Sequence, residues 1–255
     1  MYRRNARYGW IPDLPDQRDQ LYSAPAPLVA KLPPLVDLRP KCPPVYDQGS
    51  LASCTAHAIS AAFRFDLKRH RSGGRFLPSR LFLYYNERVI AGTIATDSGA
   101  MLRDGIKSLA KQGVCSEATW PYDIERYADK PGARAYVEGK QHPALSYQRV
   151  AQEGFQMRGC LASGYPFVFG FVAYESFESE RIARTGLMTM PGSGERPLGG
   201  HAVMAVGYDD ADQVFLCQNS WSTAWGERGY FRMPYAYLGN PQLARDLWTI
   251  RTAGG

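Results

Sequence analysis

The sequence predicts an α+β protein of two lobes, helical in its N-terminal half and mainly antiparallel β in its C-terminal half. Three observations predict it. Between residues 53 and 116 apolar residues recur at helical spacing, as in Ile59, Ala62 and Phe63 or Leu102, Ile106 and Leu109. After Pro143 the period changes to short β-rich runs such as HAVMAVGY (201–208) and VFLCQ (214–218). Helices gathered before strands, rather than alternating with them, argue for segregated layers. A chain of 255 residues can fill one large domain or two lobes sharing an interface, and a cleft between lobes is a usual place for a site.

The elements follow in order. Residues 1–44 hold nine of the 18 prolines, so this segment is expected to run as extended chain over the surface, neither helix nor central strand. Tyr8, Trp10, Ile11, Leu14, Leu21 and Tyr22 give it something to pack with. A turn at Asp47–Ser50 leads into the first helix, with Ser53 as N-cap, Cys54 at its head and an end near Ser72-Gly73-Gly74. A second helix opens at Pro78-Ser79 and stops before Gly92; a third follows Ser98 and stops at Gly113. WPYDIERYADKPGARAY reads as irregular chain. Strands are predicted over 145–150, 167–173, 201–208, 214–218, 230–233 and 247–250, with a short helix around 151–162 and a hairpin turn at 209–213.

Composition narrows the function classes. The net charge of +6 is modest and its basic residues are scattered, whereas nucleic-acid binding needs them clustered. No apolar run approaches the ~20 residues of a membrane span, so no membrane association is expected; the basic N-terminus has no apolar stretch behind it, so no secretory leader is visible, which leaves a cytoplasmic chain or one whose leader has been removed. Cys42, Cys54, Cys115, Cys160 and Cys217 make an odd count without CxxC or Cys/His spacing. That argues against a zinc site and a complete disulfide framework; no metal or cofactor is expected, and reduced thiols favour a cytoplasmic location.

Cys54 stands where unpaired backbone N–H groups and the helix dipole favour thiolate. A cysteine nucleophile needs a base, a group orienting that base, and oxyanion donors. Of the four histidines, His57 follows Cys54 on the same helix and reads as packing. His70 lies in a basic surface stretch, and His142 precedes a proline in a loop. His201 instead opens an apolar strand after Gly199-Gly200, where another chain can approach closely. Asn219, at the end of the next strand, offers a carbonyl to fix the histidine tautomer, and Trp221 a cover against water. Singly, Asn219 is as readily a turn residue and Trp221 a core aromatic.

Together these residues resemble the papain-like cysteine peptidases. The resemblance rests on Gln48-Gly49-Ser50 with Ser53-Cys54, on Gly200-His201-Ala202-Val203, and on Asn219-Ser220-Trp221 with Trp225-Gly226-Glu227-Arg228-Gly229-Tyr230. The separation of 147 residues from Cys54 to His201 fits the family's interval of about 130–150. PPLVDLRPKCPPVYDQGS and DSGAMLRDGIKSLAKQGVCSEATWPY are similar to further family segments, so the likeness covers roughly residues 32 to 251. Leu51, Ala52 and Thr55 depart from the usual Cys-Gly-Ser/Ala-Cys-Trp/Tyr. Leu51 and Thr96 stand where the resemblance implies a disulfide pair, and the usual glycine pair is Ser98-Gly99.

The resemblance implies the two-lobed papain-like fold, its active site in the cleft, with a domain over 32–255: a helical lobe at about 45–120 and a β lobe at about 143–251. It implies Cys54 as nucleophile, His201 as proton carrier in a thiolate–imidazolium pair, Asn219 orienting His201 and Trp221 shielding it. Gln48 would donate to the oxyanion with the Cys54 backbone N–H. Gly99 would pair main chain to main chain with an extended peptide or protein substrate, and Met101, Gly170 and Ala202 would line an apolar pocket. Residues 1–31 do not match the family's longer, helical pro-segment; this proline-rich strap is expected in or beside the cleft, limiting access. Expected activity is cysteine endopeptidase, with an amidase or transpeptidase on the same site, or a silent peptide-binding protein on this fold, as alternatives.

Overall fold

A computed structural model describes residues 8–70, 76–144 and 146–252. In chain order the elements are β1 (Leu21–Tyr22), α1 (Ala26–Val29), β2 (Leu35–Asp37), α2 (Cys54–Arg69), α3 (Arg80–Ala91), α4 (Leu102–Gln112), α5 (Ala133–Gly139), β3 (Ser146–Val150), α6 (Gly154–Ala162), β4 (Phe167–Tyr174), α7 (Glu180–Thr185), β5 (Pro197–Asp209), β6 (Val214–Gln218), β7 (Tyr230–Pro234), α8 (Tyr235–Leu238) and β8 (Ala244–Arg251). Helices α2–α4 form one side. The strands form a single sheet in the order β1-β3-β8-β4-β5-β6-β7, with β2 also on β5. Every pairing is antiparallel except β1 with β3, so the α+β reading holds.

Helix α2 is the hinge of the architecture, because it packs on α3 and α4 on one side and on β5 on the other. That is why it is buried nearly all round, from Cys54 to Leu67, rather than along one stripe. Helix α3 starts where Ser79 Oγ accepts from the Phe82 N–H and stops at Gly92 in the left-handed region, as the sequence predicts.

Three local expectations are corrected. Ser53 precedes α2 but its hydroxyl does not cap it; it bonds Tyr122 Oη at 2.7 Å and lies 3.3 Å from His57 Nδ1. The proline-rich segment contains a single helical turn, α1, with proline in the first-turn position where the missing N–H costs nothing. Helix α5 occupies the end of the stretch read as irregular. Helix α2 ends at Arg69, and the stop expected at Ser72-Gly73-Gly74 lies outside the described residues. All five cysteines are free and buried. Among the described residues no helix is long and apolar enough to cross a membrane.

Candidate active site

Cys54 is the first residue of α2 and has no exposed surface. His201 on β5 is equally buried, and Asn219 stands just past the end of β6. His201 Nε2 lies 2.8 Å from Asn219 Oδ1. That oxygen also accepts the Ser220 N–H at 2.8 Å, so the amide oxygen, not the nitrogen, faces the imidazole. Nε2 must therefore carry the proton, which leaves Nδ1 of the neutral ring as the basic nitrogen. Trp221 lies over the imidazole, ring centroids 4.9 Å apart and planes inclined by 35°. Phe171, Phe177 and Tyr8 complete an aromatic cage.

Gln48 is tied into the same cluster. Its Oε1 accepts from Ser220 Oγ at 2.6 Å, its Nε2 donates to the Leu51 carbonyl at 2.9 Å, and its backbone N–H donates to the Ser220 carbonyl. Ser220 and Tyr122, whose hydroxyl donates to the Gln48 carbonyl at 2.8 Å, are residues sequence reasoning missed. Ser220 sits inside a recognisable motif, but nothing in the sequence assigns it to Gln48. Thr55, where the resemblance leads one to expect an aromatic, donates to Glu87 Oε2 at 2.8 Å.

Residues 8–11 cross the space between the two lobes. The Trp10 N–H donates to the Gly200 carbonyl at 2.8 Å on the β side. On the helical side Ala100 N–H donates to the Gly9 carbonyl at 2.7 Å, and Ile11 N–H to the Ala100 carbonyl at 2.9 Å. The main-chain partner of extended chain here is thus Ala100, not Gly99 as expected. Gly99 has its N–H on Tyr84 Oη, and its role is close approach: at φ +75° a Cβ would stand 2.2 Å from the Gly9 carbonyl oxygen. Gly170, opposite Ala202 across β4 and β5, forms the floor under Trp10. Met101, next to Ala100 at the head of α4, is half-buried. Tyr8 Oη donates to Glu178 at 2.7 Å.

This enclosure bears on the protonation of both groups. Burial pushes the Cys54 thiol up to about 12, although the Ala202, Gly9 and Thr55 backbones pull it down. Burial likewise pushes the His201 imidazole down to about 4, against its hydrogen bond to Asn219. With residues 8–11 in place, burial opposes both the thiolate and the imidazolium, against the pull of the helix dipole. Among the described residues no cluster of His, Cys, Asp and Glu fits a metal ion.

Comparison with known proteins matches residues 32–246 to the family described as papain family cysteine protease. Xylellain, a cysteine protease from Xylella fastidiosa, is 43% identical, with a TM-score of 0.92 over 100% of this chain and 99% of that one. An uncharacterised peptidase C1-like protein of Acanthamoeba polyphaga mimivirus is 41% identical over 96% of this chain and 86% of its own length. A recombinant stem bromelain precursor, 18% identical over 92% of this chain and 76% of its own, shares the fold with a TM-score of 0.72. The chain belongs to the papain family of cysteine proteases.

Proposed function

We propose that this protein is a cysteine endopeptidase whose own N-terminal segment restrains it. Cys54 is the nucleophile, His201 the base, Asn219 its orienting group and Trp221 the shield. Once peptide replaces the strap, Cys54 passes its proton to His201 Nδ1 and the thiolate attacks the scissile carbonyl carbon. The oxyanion is met by the Gln48 amide and the Cys54 backbone N–H; such a donor is worth about 10²–10³ in rate. Collapse breaks the C–N bond, the imidazolium protonates the leaving amine, and a thioester remains on Cys54. Water, deprotonated by His201, then hydrolyses it.

The observation that carries the reading is the run of Gly9–Ile11 along Ala100 and Gly200, with the Gly9 backbone at Cys54. Extended chain already lies against the nucleophile, held by main-chain bonds that any peptide can make. Trp10 in the pocket floored by Gly170 supports a preference for a large apolar side chain there.

The test is alkylation of Cys54 by iodoacetamide or an epoxide probe, alongside turnover of a fluorogenic peptide. The full chain should label slowly, Trp10→Ala should label and turn over faster, and His201→Ala should abolish both. A Cys54 that behaves as an ordinary thiol near pKa 8.5 in the Trp10→Ala protein, with labelling indifferent to His201→Ala, would refute the enzyme. Equal turnover with and without Trp10 would refute the restraint.

A further inference from the structure

The peptide unit joining Leu51 to Ala52 is buried just ahead of Cys54, and side chains take both of its polar groups. Its carbonyl accepts from Gln48 Nε2 at 2.9 Å. Its N–H donates to the Asp97 carboxylate, 3.0 Å from Oδ1 and 3.2 Å from Oδ2. The two groups of a trans peptide point in opposite directions in one plane, so Gln48 and Asp97 hold it from opposite sides. Asp97 comes from far along the chain, in the loop between α3 and α4, and α3 braces that loop. Tyr84 Oη donates to Asp97 Oδ1 at 2.6 Å and accepts the Gly99 N–H at 3.1 Å. The buried guanidinium of Arg88 donates to the Ile94 and Thr96 carbonyls at 2.7 and 3.1 Å and lies over the Tyr84 ring. Neither Leu51 nor Thr96, the neighbours of the tied pair, is a cysteine, so the join between the two segments here is non-covalent.

We propose that Asp97 is a positioning residue for the oxyanion donor Gln48, acting through the Leu51–Ala52 peptide. The Gln48 amide is planar and both of its ends are held: Ser220 Oγ donates to Oε1, and the Leu51 carbonyl takes one of the two N–H groups on Nε2. The direction of the second N–H, which the proposed mechanism aims at the oxyanion, is therefore set by where the Leu51 carbonyl stands. That carbonyl turns with its peptide plane, and a charge-assisted bond to the N–H on the far side stops the turn. Without the carboxylate, the buried Ala52 N–H has to find another acceptor. The Leu51 carbonyl swings with it and takes the Gln48 amide off line. A donor is effective in such a site because it is already aimed where charge develops, so a loss of aim is a loss of rate.

The kinetic consequence rests on the peptidase reading, whereas the hold on Gln48 does not, and two measurements keep them apart. In the Trp10→Ala protein, Asp97→Ala should lower kcat about tenfold at nearly unchanged KM, short of the roughly 10²–10³ lost with a whole donor. Alkylation of Cys54 by iodoacetamide, a displacement that develops no oxyanion, should keep its rate. Asp97→Asn retains an acceptor for the Ala52 N–H and should recover most of the loss. Asp97→Glu keeps the charge but sets it one methylene too far, and should not. In a Gln48→Ala background Asp97→Ala should cost nothing further, as expected of residues acting through one another. A kcat unmoved by Asp97→Ala, a parallel fall in alkylation and turnover, or an undiminished effect in the Gln48→Ala background overturns the positioning role. The second measurement needs no turnover. In NMR spectra of the full chain the Gln48 side-chain amide protons should shift in Asp97→Ala and return in Asp97→Asn; unmoved resonances overturn the proposal. Should Asp97→Ala fail to fold, Asp97→Glu carries both measurements. A Trp10→Ala parent without turnover refutes the peptidase instead, and the amide resonances still decide the hold on Gln48.

Discussion

The indole of Trp10 occupies the space a side chain on Gly170 would need: a Cβ there would stand 1.9 Å from Trp10 Cε2. The strap and its pocket are therefore matched at one glycine, and a methyl group suffices to separate them. Gly170→Ala should release the strap and raise the rate of Cys54 alkylation by iodoacetamide, without lowering the melting temperature by more than a few degrees. Unchanged labelling would mean that Trp10 does not seal the cleft.

Truncation needs a different cut from the one the sequence suggests. Asp13 and Asp19 are buried partners of Arg103 and Arg149, and β1 belongs to the sheet. Deleting residues 1–31 removes both carboxylates, leaves Arg103 without Asp19 and Arg149 with Asp246 alone, and takes β1 out of the sheet. Deletion of residues 1–11 should raise turnover of a fluorogenic peptide and keep a cooperative thermal transition, whereas deletion of 1–31 should lower the melting temperature sharply. Equal stability of the two truncations would contradict the buried role of Asp13 and Asp19.

Asp13 also makes strap docking sensitive to pH. It accepts from Arg103 N–H, Arg149 and Trp248 Nε1, donates its own N–H to Asp246, and shares Arg149 with Asp246 and Asp19. Asp16, nearby, pairs with Arg18 and Lys107. Three carboxylates thus meet two guanidiniums, and burial first, then the Asp246 charge, pushes Asp13 up to about 6. An undocked strap returns Asp13 to its ordinary 3.8. The docked pKa being the higher, docking is strongest below about 4 and weakens as pH rises through 6, by up to about a hundredfold. Cys54 labelling corrected for thiolate content should rise over that window, and Asp13→Asn should flatten the rise. A strap released by acid instead would reverse the sign.

Glu87 offers a stability test beside the nucleophile. Burial pushes its carboxyl up to about 8, with the Thr55 hydroxyl opposing. Stability held by the protonated form is complete below the unfolded value near 4.5 and is lost as pH rises through 8. Glu87→Gln, uncharged at every pH, should melt roughly 5 °C or more above the parent at pH 8, and the two should converge near pH 4. A lower melting temperature for Glu87→Gln at pH 8 would show that the charged carboxylate stabilises the core.

How much of this was legible depends on how local each cause is. His201, Asn219 and Trp221 could be read because the apolar runs 201–208 and 214–218 are local patterns, although β5 begins earlier than expected, at Pro197, and places His201 inside the strand rather than at its start. The placement of Gln48 follows from its fixed spacing to Cys54. Ala100 in place of Gly99 could not be read: Tyr84, on a different helix, takes the Gly99 N–H and leaves the next residue to pair. The uncapped Ser53 is of the same kind, its hydroxyl claimed by Tyr122 from far along the chain. Helix α1 was hidden because proline was read as a breaker, although the first turn tolerates it. The burial that works against the charged forms of Cys54 and His201 comes from a segment far off in sequence, residues 8–11, which no local pattern reports.

Strand β1 joins the sheet beside β3 only a short stretch of chain beyond Trp10. Under the proposed restraint, that anchor makes the occupant of the cleft a tethered competitor whose local concentration is in the millimolar range. Dilution cannot remove it, and its hold is independent of how much protein is present. Opening is then a first-order event. Such a competitor raises KM and leaves kcat alone, so removing it should lower KM by a common factor for good peptides of different sequence.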